Sequence, residues 1–116
     1  MDEQEQIDER ERRLGLNEAL FREVNERLRG LNEAFGEVTN RMELVCECTD
    51  PGCAARISMT VRQYEELRSE PEQFVISPGH AAPDIEEVIA TGEGWEIVRK
   101  RPGGPAELAR ASDPRS

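Results

Sequence analysis

Over the first third of the chain, apolar residues return every seventh position: Ile7, Leu14, Phe21, Leu28 and Phe35. Val24, Leu31 and Val38 stand three residues after the last three of these. This period predicts one long amphipathic helix over residues 1–38, with a two-column apolar seam of the coiled-coil kind. Arg10 and Asn17 occupy the second column earlier on, so the stripe fades toward the N-terminus. Gly15, Gly30 and Gly36 each weaken such a helix by about 1 kcal/mol relative to Ala. At 1.5 Å per residue it would run for about 57 Å, further than a domain built from the remaining residues can cover. The seam either packs on its own domain or pairs with a protein partner or a second copy through Phe21, Val24, Leu28, Leu31 and Phe35. We expect both in part: Leu28 to Val38 against the following strand and helix, and Ile7 to Val24 projecting to be covered by a partner.

After Thr39-Asn40 the period drops to two. Met42, Leu44 and Cys46 alternate with Glu43, Val45 and Glu47, which predicts a strand running into a cysteine-rich turn. Glu47 is read as an exposed strand glutamate. Arg56 to Thr60 alternates as a second strand. Thr60 stands three residues before Gln63, a capping-box spacing, ahead of Val61, Tyr64 and Leu67 at helical intervals. Pro71 should end that helix, since proline disfavours helical backbone in the residue before it. Phe74-Val75-Ile76 reads as a third strand, closed by Ser77-Pro78-Gly79. Residues 85–91 suit either a helical turn capped by Asp84 or the first arm of a hairpin. The hairpin is preferred, because Gly92-Glu93-Gly94 and Trp95 to Val98 supply a turn and a return strand. From Pro102 onward the composition turns to Pro, Gly, Ala and Ser, and predicts a flexible tail with at most a short helix near Ala106 to Ala111. The chain therefore divides into an N-terminal amphipathic helix (1–40), an α+β domain of short antiparallel strands and one short helix (41–101), and a C-terminal tail (102–116).

The chemistry is concentrated in Cys46-Glu47-Cys48-Thr49-Asp50-Pro51-Gly52-Cys53. Alternate strand positions let Cys46 and Cys48 face the same way, and Asp50-Pro51-Gly52 is a turn that can swing Cys53 back to them. A second turn, Pro78-Gly79, delivers His80, the sole histidine. Cys46, Cys48, Cys53 and His80 make a tetrahedral Cys3His set of the kind that holds one structural zinc ion. The amides of Gly52, Cys53 and Ala54 are placed to shield the sulfurs. With a small, highly charged chain and few aromatics, such a staple offsets a limited hydrophobic core. Three closely spaced cysteines without a secretory signal fit a cytoplasmic metal site better than disulfides. The bland alternative is three thiols acting as small buried hydrophobes.

Two resemblances bear on the site. Small [2Fe-2S] proteins of the CDGSH type also begin their ligand set with Cys-x-Cys, but their histidine closely follows the third cysteine. Here Ala54-Ala55-Arg56 follows Cys53, and His80 is far downstream, which argues against an iron–sulfur cluster. The second concerns Phe21-Arg22-Glu23-Val24-Asn25-Glu26-Arg27, the Cys46–Cys53 turn, Tyr64-Glu65, Pro78-Gly79-His80, Ile97-Val98 near Lys100, and Asp113-Pro114-Arg115-Ser116. In these pieces, which span most of the chain, it resembles a group of small bacterial Cys3His proteins. That resemblance implies the pairing of the three cysteines with His80 and brings no activity with it.

A net charge of −10 disfavours nucleic acid and anionic lipid, both of which would repel the chain, and no stretch is apolar enough to span a membrane. There is no phosphate-binding glycine loop and no second histidine, and a four-ligand site leaves no open position for water. The expected function is thus non-enzymatic: a zinc-stabilised protein-interaction or regulatory adaptor module. The alternatives are a thiol-based redox switch that releases zinc on oxidation, and a nucleic-acid-associated regulator.

Overall fold

Alternation of apolar and polar residues sets the first strand pair in the computed structural model, which describes residues 2–34 and 40–115. Strands β1 (Arg41–Val45) and β2 (Arg56–Thr60) run antiparallel, with Met42 opposite Met59 and Leu44 opposite Ile57. Those four side chains are buried, while Glu43 and Ser58 between them face out. Helix α2 (Val61–Arg68) starts directly from β2 through the predicted capping box. Gln63 N–H donates to Thr60 Oγ1 at 3.0 Å, and Thr60 N–H donates to Gln63 Oε1 at 2.8 Å. Strand β3 (Gln73–Ile76) pairs with β5 (Trp95–Lys100), which also pairs with β4 (Glu86–Gly92), giving an antiparallel sheet in the order β3-β5-β4. Of residues 85–91, all but Ile85, which lies in the preceding turn, form the hairpin arm, with a register shift between Val88 and Ala90. The β1–β2 pair meets this sheet where Glu47 N–H donates to Val75 O at 2.8 Å. Between them lies a core of Met42, Leu44, Ile57, Met59, Tyr64, Leu67, Phe74, Val75, Ile76 and Val98. Burying each large aliphatic or aromatic side chain contributes on the order of 1.5–3 kcal/mol. The architecture is α+β.

Helix α1 (Glu3–Ala34) is long, as its heptad pattern predicts, but it is oriented differently. It lies along the domain through its middle, and the face it presents there is polar. Glu18, Arg22 and Asn25 are each fully buried, whereas Val24 and Leu31 are exposed and Leu14, Phe21 and Leu28 are half-buried. The expectation that the stretch up to Val24 projects is thus overturned, and Phe35 and Val38 lie outside the described residues. The reason is that the polar side chains have dedicated partners. Glu18 pairs with Lys100, which also meets Glu86 at 2.6 Å. Burial pushes the Glu86 carboxyl up and the Lys100 amine down, each against its charged form, so the close contact is what makes an ionised cluster tenable there. Arg22 stacks 4.4 Å from the Phe74 ring centre and donates to the carbonyls of Pro71 and Ala109. Arg29 meets Glu65 at 2.8 Å. Phe74 also has Arg68 and Lys100 within 5.8 and 5.0 Å of its ring centre, so an aromatic face balances several buried cations.

In the stretch 102–116, read from sequence as a tail with at most a short helix near Ala106 to Ala111, a helix does form and it is packed. Helix α3 (Gly104–Ala111) packs against α1, burying Ala106 and Ala109. Gly15 leaves room for Leu108 here: a Cβ at that position would stand 2.5 Å from Leu108 Cδ2, and the leucine side chain would have to shift. The glycine that weakens α1 locally is where the second helix touches it. Beyond α3, Arg115 returns to Glu26 of α1 and Glu65 of α2, meeting the latter at 2.6 Å.

Candidate metal centre

The four ligands predicted from sequence are carried to one point by three local devices. Cys46 and Cys48 continue the alternation of β1 and are buried. Cys53 returns through the Asp50-Pro51-Gly52 turn, whose Asp50 Oδ1 accepts from Gly52 N–H at 2.9 Å and whose carbonyl accepts from Cys53 N–H at 3.1 Å. His80 follows Gly79, which takes a φ of +83° that side-chain-bearing residues rarely adopt. His80 N–H closes this second turn on Ser77 O at 3.1 Å. The ligand atoms of Cys46, Cys48, Cys53 and His80 all lie within 4.8 Å of one another, the only such group among the described residues.

His80 Nδ1 is 3.6 Å from both Cys46 Sγ and Cys53 Sγ. A single ring nitrogen accepts one thiol proton, so equal separation from two sulfurs points to a shared centre. Around a tetrahedral ion with ordinary Zn–S and Zn–N bonds, sulfur and nitrogen would stand about 3.6 Å apart. The donor set therefore fits a metal ion. Burial holds the Cys46 thiol above its usual range and pushes Cys48 up to about 12. Buried thiolates need a counter-charge, which a bound cation would supply. The shielding amides differ from those expected: Gly52 and Cys53 N–H go to Asp50, whereas Ser77 N–H donates to Cys46 Sγ at 3.1 Å. The pocket has an open side, because Cys53 is half-buried and His80 is exposed.

No family model matches this chain, and neither does any curated protein or solved structure.

The residue that sequence reading misplaced is Glu47, which is fully buried. Cys46 and Cys48 point toward Cys53 and His80, so Glu47 points the other way, into the seam between α1, α2 and β3. Its Oε2 accepts from Asn25 Nδ2 at 2.8 Å; its Oε1 accepts from Val75 N–H at 3.0 Å and faces Arg68 Nη2 at 3.4 Å. Asn25 also takes both backbone groups of Val45, accepting from its N–H at 2.8 Å and donating to its carbonyl at 2.9 Å. Asn17 Nδ2 donates to Cys48 O at 3.3 Å. Helix α1 thus grips the ligand loop at two points, just before its first cysteine and at its second. The available signal was alternation itself: when one face of a strand is claimed by ligands and another element covers its back, the residue between is buried.

Proposed function

We propose that this protein is a non-enzymatic module stapled by one structural Zn2+ on Cys46, Cys48, Cys53 and His80, and that it binds another protein through α1. The observation that carries the reading is the convergence of three thiols, on a loop that α1 contacts, with an imidazole from a second turn, all four ligand atoms lying within 4.8 Å of one another. When bound, the ion would supply the positive charge that keeps the sulfurs as thiolates and would tie β1, its turn and the Pro78-Gly79 turn together. A full set of protein ligands leaves no site for substrate. Glu47, the nearest carboxylate in sequence, is occupied on both oxygens and faces away from the sulfurs. The exposed apolar residues of α1, Leu16, Leu20, Val24 and Leu31, offer a contact face. It overlaps the seam read from sequence at Val24 and Leu31, whereas Phe21 and Leu28 lean toward the domain.

Elemental analysis of the purified chain should give one zinc per chain, reduced by Cys53→Ser and by His80→Ala. Chelation should abolish the near-ultraviolet signal of the folded domain, and an intact signal after complete metal removal would overturn the structural role. For the contact face, affinity capture with the wild type and with Leu20→Asp should differ in the proteins retained.

A second reading, a thiol switch, draws support from the half-buried Cys53 and exposed His80, which give small oxidants an edge of the site to attack. Zinc release by dilute peroxide, followed with a chromogenic chelator, separates the two: slow release fits a staple, and fast release reversed by thiol fits a switch.

A further inference from the structure

Helix α1 buries its charges and exposes its leucines. On the side opposite Glu18, Arg22 and Asn25, the residues Glu9, Arg13, Leu16, Leu20, Glu23 and Arg27 follow one another at steps of four and three. That is the rhythm of a helix–helix seam, rotated away from the one that Phe21 and Leu28 belong to. All six are exposed, Leu20 to 58% and Leu16 to 42%, and the exposed Val24 and Leu31 flank them.

The charges on this seam are arranged symmetrically about a point midway between Leu16 and Leu20. Moving outward, Arg13 on one side answers Glu23 on the other, and Glu9 answers Arg27. A two-fold interface demands this self-complementarity, because each residue must meet a partner that meets it in return. A different protein as partner would impose no such rule.

We propose that a second copy of this chain covers this face, its α1 lying antiparallel. This rests on reading α1 as the contact surface. Leu16 of one copy packs on Leu20 of the other, and the reverse, making a box of four leucines at the two-fold axis. On each side of the box Arg13 faces Glu23 and Glu9 faces Arg27. A parallel pair would instead set Arg13 on Arg13 and Glu23 on Glu23, like charges at a seam. The existing contact between Glu23 and Arg27 within one helix is no obstacle: it is 3.2 Å long and highly exposed, and such pairs rearrange at little cost. The domain is no obstacle either, since it sits on the other side of α1.

The test is sedimentation equilibrium of the full zinc-loaded chain, with far-ultraviolet circular dichroism to confirm that each variant is folded. The seam is short, so we expect dissociation in roughly the micromolar range. Leu20→Glu should leave a folded monomer. Arg13→Glu sets Glu against Glu and should weaken the dimer roughly tenfold, and adding Glu23→Arg should restore it. A wild type that stays monomeric to millimolar concentration overturns the second copy as occupant, while contact with a different protein is judged separately by the Leu20→Asp capture. A dimer untouched by Leu20→Glu overturns the choice of face. Loss of affinity in Arg13→Glu without rescue by Glu23→Arg overturns the antiparallel register.

Discussion

Asn25 and Glu47, 22 residues apart, meet side chain to side chain at 2.8 Å directly behind the candidate ligand loop. One is the middle of α1, the other the residue between two candidate ligands, and neither contacts water. Docking of the helix and geometry of the site are therefore joined through one hydrogen bond and the two that Asn25 makes with Val45.

Removing the Asn25 side chain leaves Val45 N–H, Val45 O and one Glu47 oxygen without their partner. Asn25→Ala should cost about 2–3 kcal/mol, the range for stranding buried hydrogen-bonding groups. It should also weaken zinc binding, although Asn25 touches no ligand atom. Urea unfolding gives the first quantity and a competition titration with a zinc indicator the second. Unchanged zinc affinity in a destabilised Asn25→Ala protein would show that the loop holds its shape without the helix.

Zinc affinity should be steeply dependent on pH. Burial holds Cys46 and Cys48 as thiols in the metal-free protein, so each must give up a proton as the ion binds. Cys53 must bind as a thiolate too, so up to three protons are displaced, and affinity should fall roughly a hundredfold to a thousandfold for each unit of pH lowered around neutrality. Indicator competition between pH 6 and 8 would measure the slope, and a flat profile would mean that the thiols are already ionised.

The Glu18–Lys100–Glu86 cluster should respond very differently to single and joint substitution. Lys100→Ala leaves two carboxylates buried side by side, and should cost about 3–5 kcal/mol. Replacing all three together by Leu or Met of matching volume should be close to neutral, since no buried charge is then left unpaired. Chemical denaturation of both variants distinguishes a cluster that drives docking from one that merely tolerates it.

Arg115 carries a prediction about acid. Its hydrogen bonds, with those of Arg29, hold the Glu65 carboxyl below its usual range. A carboxylate with a depressed pKa stabilises the fold above its ordinary pKa, and that contribution is lost as pH falls through the lowered value. Because Glu65 is 39% exposed, solvent screening limits the effect to about 1 kcal/mol or less. Arg115→Ala should therefore lower the unfolding midpoint at pH 7 and make almost no difference at pH 2.

What could be read from the sequence was local, or carried by turns. The capping box of Thr60 and Gln63, the alternation in β1 and β2, the hairpin through Gly92-Glu93-Gly94 and the two turns that deliver Cys53 and His80 each depend on neighbours a few positions away. The orientation of α1 does not. Glu18, Arg22 and Asn25 look like a solvated face until Lys100, Ala109 and Glu47 come to meet them, and those partners are 82, 87 and 22 residues distant. A heptad pattern records where apolar residues recur, and it is silent when charged residues do the docking. The docking of the short C-terminal helix on α1 could not be read for a related reason. Small residues suit a loose tail and a close helix contact equally well, and only the approach of Leu108 to Gly15 separates them.

A helix seated by charge pairs and hydrogen bonds, with only half-buried apolar residues at its edges, obeys a different thermodynamics from one seated on oil. Exposing apolar surface raises the heat capacity of unfolding and exposing polar surface lowers it. Detaching α1 should therefore change heat capacity little for its length while absorbing considerable heat. Hydrophobic contacts loosen in the cold, so the grip of this helix on the ligand loop should hold as temperature falls, and the apolar core of the domain should be the first part to feel cooling.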